Sequence, residues 1–367
     1  MRAFVFTDKA LERYAGRFVW LSVDTENSAN AAFLQKYPIH VWPTLMIIDP
    51  KKETVALRYS GGATVQQLSK LLSERGGKTK YDEAMARADR FANEGKAPEA
   101  AAAYDEAIKK APKNWSRLGR ASETLMFALY AAKEYDRCAS RAMELYPRVK
   151  DSYSAVNVSS MGLLCASEKP EARATFDALE KDVRETLENT KLPLSGDDRS
   201  GLYETLISAR EAVKDEEGAH KLREQWAAFL EGEAKKAKTP EQRAVYDSHR
   251  LTAYIDLKQP ERAIPMLEQS ERDFPGDYNP PARLGLAYRT MGKYDEALAA
   301  YDRALTKAYG PRKIGILRGK AETFAAKGDK ESAKRVLAEA IQYAESLPEE
   351  QRSDATIASL KKRLEAL

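Results

Sequence analysis

A small side chain recurs along most of this sequence, and its spacing constrains the fold more than any other feature. Ala100, Cys138, Ala172, Ala219, Ala263, Ala297 and Ala333 follow one another at intervals of 38, 34, 47, 44, 34 and 36 residues. The residue four places on is large and apolar at Tyr104, Phe176, Leu267, Tyr301 and Leu337, and the rule fails at Ala142 and Arg223. Two antiparallel helices approach closely only where small residues lie at their crossing, and larger ones must fill the wedge between successive pairs. The pattern therefore predicts a stack of helical hairpins.

The clearest unit runs from Tyr278 to Pro311. It holds Pro280-Pro281-Ala282-Arg283-Leu284-Gly285-Leu286-Ala287-Tyr288, then Gly292-Lys293-Tyr294-Asp295-Glu296-Ala297, then Tyr301 and Ala304. This wording resembles the tetratricopeptide repeat, whose period is about 34 residues. The resemblance implies an all-α solenoid of seven helix pairs over 81–114, 119–150, 152–190, 197–237, 244–277, 278–311 and 314–347. The first unit and the last three carry the pattern fully, while 151–243 is helical but degenerate, with a loop around Leu192–Gly196. Residues 353–367 carry Ile357, Leu360, Leu364 and Leu367 at helical spacing, with Lys361, Lys362 and Arg363 outside, as a capping helix should.

Residues 1–77 change period. Phe18–Asp24, Thr44–Asp49 and Thr54–Tyr59 read as strands, Ala29–Tyr37 as a short helix, and Val65, Leu68, Leu71 and Leu72 mark an amphipathic helix after Gly61-Gly62. The order, and the stretch Tyr37-Pro38-Ile39-His40-Val41-Trp42-Pro43-Thr44-Leu45, resemble the C-terminal two-thirds of a thioredoxin-like domain. The resemblance implies a cis peptide before Pro43, facing an active-site loop. The family's first strand and Cys-x-x-Cys are missing, so the expected α/β domain is incomplete and lacks a partner for its central strands. Two readings remain: Met1 is an internal methionine of a longer frame, or the domain is degenerate and its open edge is closed or covered. The expected architecture is α+β overall, with Arg75-Gly76-Gly77-Lys78 joining this domain to the solenoid.

The residues offer little chemistry. Thiol–disulfide exchange needs an accessible thiolate, and no cysteine precedes Cys138. Cys138 falls at a helix-crossing position and Cys165 in the apolar run Met161–Ala166, so both read as buried packing residues and not as a disulfide framework. His40, His220 and His249 are scattered without metal-ligand spacing, so neither a metal nor a cofactor is expected. His40 stands near Pro43 and reads as a loop residue. Gly61-Gly62 and Gly76-Gly77 are a turn and a linker, not phosphate loops. Asp197-Asp198 and Glu216-Glu217 suit helix starts. The 60 basic and 56 acidic residues, net +4, are interleaved without the basic stripe of a nucleic-acid binder. No apolar run is long enough for a membrane span.

What remains is the concave face lined by the first helix of each hairpin, where Ser248, Thr252, Arg289, Arg318 and Glu322 are the candidate groove residues. The carboxylate clamp of some tetratricopeptide proteins is not reproduced, since its places hold Ser248, Thr252, Arg283, Gly315 and Gly319. Two arginines there would suit acidic or extended peptides. The expectation is a non-enzymatic scaffold that binds a protein or peptide. The alternative is a thiol–disulfide oxidoreductase whose Cys-x-x-Cys lies upstream of Met1, with the array recruiting its substrate. As written the chain is expected in the cytoplasm; a longer frame with a signal peptide would place it in a bacterial periplasm.

Overall fold

The computed structural model describes residues 1, 3–39, 42–73 and 79–367; the expected linker at residues 75–78 lies outside them, as does His40. The chain divides into two compact units, one of residues 1–13 and 41–226, the other of residues 14–40 and 227–367.

The first unit opens with an antiparallel hairpin, β1 (Thr44–Asp49) and β2 (Thr54–Ser60), in the register Thr44↔Ser60 to Asp49↔Thr54 with an irregularity between Ile47 and Ile48. The turn closes on Asp49, whose Oδ1 accepts the N–H groups of Lys51 (2.9 Å) and Lys52 (3.2 Å). These two bonds hold the Asp49 carboxyl below the usual range. The Trp42–Pro43 peptide is cis. Thr64 and Gln67 cap each other's backbone N–H groups at 3.2 and 3.0 Å and start helix α2 (Val65–Ser73), after α1 (Ala31–Lys36) of the other unit.

Helix pairs follow: α3 (Lys80–Asn93) with α4 (Ala97–Lys110), α5 (Leu118–Ala131) with α6 (Tyr135–Val149), α7 (Ser154–Ser167) with α8 (Arg173–Glu188), and α9 (Gly196–Ala212) with the first half of α10 (Glu216–Lys236). The second unit continues with α11 (Pro240–Ala244), α12 (Asp247–Asp256), α13 (Ile264–Asp273), α14 (Asn279–Thr290), α15 (Tyr294–Leu305), α16 (Gly310–Lys327), α17 (Lys330–Ser346) and α18 (Asp354–Glu365). Ile357 and Leu360 of α18 are buried on Ile314, Leu317, Val336 and Ala340, which closes the last pair.

A backbone signature ties six hairpins together. Gly95, Lys133, Lys214, Lys258, Gly292 and Gly328 all have left-handed φ, between 58° and 92°. Each stands five places before a fully buried crossing residue: Ala100, Cys138, Ala219, Ala263, Ala297 and Ala333. The reversal between paired helices therefore has the same geometry each time, whether glycine or lysine supplies it.

The α7–α8 pair departs from this rule. Ala172 is exposed at the start of α8, not buried at a crossing, and Phe176 and Leu179 fill the interface. This corrects the expected crossing residue: among the described residues no left-handed residue closes that hairpin, so its phase shifts. Close approach moves instead to α6 and α7, where a Cβ on Gly162 would lie 2.4 Å from the Cβ of Ala142. A small residue at 142 thus has a partner, which explains the missing large side chain.

Two further expectations are corrected. Cys138 and Cys165 are not separate packing residues but one disulfide, joining α6 to α7 with Cα atoms 6.0 Å apart and almost no exposure. Their 27-residue separation carries no recognisable spacing; only the close crossing of α6 and α7 brings them together. Residues 18–23 form no strand: among the described residues the sheet has two strands, and Val19 and Leu21 are 87% and 76% exposed. An apolar run becomes a buried strand only where a ladder and a covering layer receive it. Here residues 14–40 group with the second unit, and β1 and β2 with the first.

Within the second unit the turn at residues 24–27 is strapped to the starts of α14 and α16. Tyr309 donates to Asp24 (2.6 Å), Tyr278 and Arg312 donate to Glu26 (3.1 and 2.5 Å), and Gln351 donates to the Thr25 carbonyl (3.0 Å). Gly310 has φ +57° and its Cβ position lies 2.2 Å from the Glu26 carbonyl oxygen, so no other residue fits there.

Candidate binding surfaces

Three of the five groove candidates converge. Glu322 on α16 pairs with Arg289 from the last turn of α14 and lies 3.8 Å from Arg318, one turn back on its own helix. A third cation, Arg363 of α18, reaches Glu322 at 3.0 Å. Arg363 is exposed, as the reading of the cap helix expects, and still reaches back to this carboxylate. A position on a terminal helix gives no local sign of a partner 41 residues away. Three guanidinium groups around one carboxylate leave the cluster net positive, and Arg318 remains exposed. Ser248 and Thr252, on α12, form no hydrogen bond with this cluster; Ser248 is half-buried and Thr252 exposed.

The glycines of the clamp positions have a packing explanation. Cβ atoms on Gly285 and Gly319 would lie 2.7 and 2.9 Å from the Tyr301 ring, which α15 inserts between α14 and α16. Gly315 has open space beside it. Arg283 is half-buried near Asp247 and Asp277; burial lowers its pKa, against the pull of those charges. Asp247 itself accepts from Ser270 at 2.6 Å, and its burial pushes the carboxyl up.

The first unit holds a larger feature that the sequence did not signal. A cleft of about 780 Å³ opens between α2 and the loops that enter α5, α7 and α9. Its floor is Glu123 on α5, which is fully buried. Tyr59 of β2 donates to Glu123 Oε2 at 2.9 Å, Asn157 of α7 donates to the same oxygen at 3.2 Å, and Gln67 of α2 reaches Oε1 at 3.4 Å. Burial pushes the Glu123 carboxyl up, although bonds from Ser154, Tyr59 and Asn157 oppose it. The same burial, with the Glu123 charge, raises the Tyr59 phenol far above its usual range, so Tyr59 stays a donor. This network pins the hairpin to the first helices of two successive pairs. Beside it, Arg120 pairs with Asp89 (2.6 Å) and Arg117 with Asp82 (3.3 Å).

The tetratricopeptide repeat family model matches residues 278–346, the stretch in which small residues lie at the crossings and a tyrosine is wedged between glycines. Residues 278–346 carry the tetratricopeptide repeat. The small glutamine-rich tetratricopeptide repeat-containing protein 2 of Saccharomyces cerevisiae is 30% identical over 109 residues, 30% of this chain and 29% of that protein. The chain thus spans less than a third of the length of that curated relative. A tetratricopeptide repeat protein from Parabacteroides merdae superposes with a TM-score of 0.50 at 13% identity, over 78% of this chain and 98% of that one, which shows a shared fold. The TPR2AB domain of yeast Sti1, solved as a pHSP90 complex, is 14% identical, covers 79% of this chain and 100% of its own, and has a TM-score of 0.27. Among the described residues no group of three or more His, Cys, Asp or Glu is placed to hold a metal ion, and no helix is long and apolar enough to cross a membrane.

Proposed function

We propose that this chain is a non-enzymatic scaffold that binds a polypeptide through its repeats. Tetratricopeptide repeats mediate protein–protein interactions, and one observation carries the reading to particular residues. Arg289, Arg318 and Arg363 gather around a single carboxylate on the first helices of the last two pairs, which leaves excess positive charge on a surface built by three helices. A displayed library of random peptides tests it. Recovered sequences should lose binding when Arg289 and Arg318 are both replaced by glutamate; a library that yields no binder overturns the reading.

The thiol–disulfide alternative is not favoured by any feature of this chain. Its two cysteines are joined and buried, so no accessible thiolate exists for exchange. A thioredoxin-like origin for residues 1–77 stays within the proposal, supported by the order β1, β2, α2 and by the turn at Pro43. The compartment belongs to the same proposal. A buried disulfide between repeat helices suits an oxidising space such as a periplasm better than the cytoplasm. Thiol alkylation of the unfolded protein, with and without prior reduction, tests it: two reactive thiols before reduction, in protein taken from its native cells, would overturn it.

A further inference from the structure

We propose that the cleft of the first unit is a binding site for an acidic peptide segment. This deepens the polypeptide-binding reading and rests on it, but places the site away from the Glu322 cluster and includes α2, which lies outside the repeats.

The charge on the rim is one-sided. Lys70 on α2, Lys113 before α5, Arg148 before α7 and Lys191 before α9 all line the cleft and are exposed. Among the described residues none of these four side chains has an ion-pair or hydrogen-bond partner, whereas most arginines elsewhere on the repeats are paired. Of the acidic lining residues, Glu123 is buried and engaged by Tyr59, Gln67 and Asn157, which leaves Asp151 as the acidic residue on the rim. Excess cations along a concave surface concentrate anions by a field that salt screens.

The backbone adds to this field. The cleft sits over the starts of α5 and α7, and neither helix has a side-chain hydrogen bond at its N-cap. The next helix in the row, α9, is closed by the reciprocal pair Ser195 and Asp198. Two helix starts without a side-chain cap, beneath four unpaired cations, favour carboxylates over neutral groups.

A peptide fits better than a nucleic acid. The cations stand on separate segments, Lys70 on α2, Arg148 at the end of α6 and Lys113 and Lys191 on loops, rather than in a stripe that follows phosphates, and Glu123 and Asp151 would oppose a polyphosphate. The cleft volume lies within the range of sites that enclose ligands of several hundred cubic ångströms. Between the cations the lining includes Gln66, Asn114, Ser116 and Ser152, groups that hydrogen-bond an extended main chain, beside apolar residues such as Leu71 and Trp115.

The test is fluorescence anisotropy on the full chain with three labelled probes of about twelve units: an amidated peptide alternating glutamate and alanine, the same peptide with a free C-terminus, and an oligothymidylate. The amidated acidic peptide should bind, and the triple variant Lys113→Glu/Arg148→Glu/Lys191→Glu should weaken it by about tenfold or more, with a flatter salt dependence. Stronger binding of the free acid than of the amide would show that the terminal carboxylate takes part and would still support the site. The variant Arg289→Glu/Arg318→Glu should leave this binding within about twofold. Circular dichroism checks that both variants keep their helix content. The inference is overturned if the cleft variant binds as well as the parent, if both variants lose binding equally, if the acidic peptides do not bind, or if the oligothymidylate binds more tightly than they do. Library peptides that bind but ignore the cleft variant would overturn the site and leave the proposed function standing.

Discussion

The left-handed lysines give the sharpest prediction about how these repeats are held together. Lys133, Lys214 and Lys258 have φ of 58°, 59° and 60° at the place where Gly95, Gly292 and Gly328 stand in other hairpins. A residue with a Cβ pays about 1–2 kcal/mol for this conformation. Glycine removes that cost but brings extra freedom to the unfolded chain, roughly 0.5–1 kcal/mol. All three lysines are exposed, and among the described residues none forms an ion pair, so little else is lost on substitution. Each Lys→Gly change should therefore stabilise by about 0.5 kcal/mol, with the sites adding because they lie in different hairpins. Lys133 and Lys214 lie in the first unit and Lys258 in the second, so the triple variant should raise the midpoint of the first by about 2–4 °C and of the second by about 1–2 °C. Thermal unfolding followed by circular dichroism measures it, and Gly292→Lys should shift the midpoint the other way. Uniform destabilisation by the three glycines would refute the reasoning, because it would mean that the turns do not carry the strain assigned to them.

Three more expectations follow from the packing. Replacing both cysteines by alanine should cost about 3.5 kcal/mol, the chain-entropy value for a loop of 27 residues; alanine already serves the crossing position in other hairpins, so urea unfolding of the double variant should show little additional cavity cost. Gly285→Val should destabilise by about 1–3 kcal/mol, since its Cβ would meet the Tyr301 ring, and trimming Tyr301 to leucine in the same chain should recover part of the loss. Glu123→Gln should change the pH dependence of stability. With the folded pKa raised by burial, the glutamate's contribution is fully present below the unfolded value near 4.3 and is lost as pH rises through the folded value. The glutamine variant should thus gain on the parent in urea midpoints as pH rises above about 4, and a difference that stays constant from there to neutral pH would contradict the assigned burial.

Much of the architecture was legible because the repeat is written in local spacing. A crossing alanine with a large apolar residue one turn later reports a contact between neighbouring helices, and six of the seven crossing positions are fully buried. The cap helix was legible for the same reason: Ile357 and Leu360 alternate with charges at helical period. Ala172 misled because one conforming turn cannot reveal that its hairpin lacks the left-handed closure of the others. The candidate groove was half legible. Arg289, Arg318 and Glu322 were placed by their offset from crossing residues, while Arg363 came from a helix that carries no such offset.

What the sequence by itself determined is the succession of helical hairpins, their approximate phase and the capping of the last one. Those follow from side-chain size at fixed intervals, which acts between adjacent elements. Tertiary structure alone decided the rest. It set the union of Cys138 with Cys165, the failure of residues 18–23 to join a sheet, and the cleft gathered from α2 and the segments that lead into α5, α7 and α9. Each of these depends on distances between segments far apart in the chain, and such distances leave no period in the residues that meet.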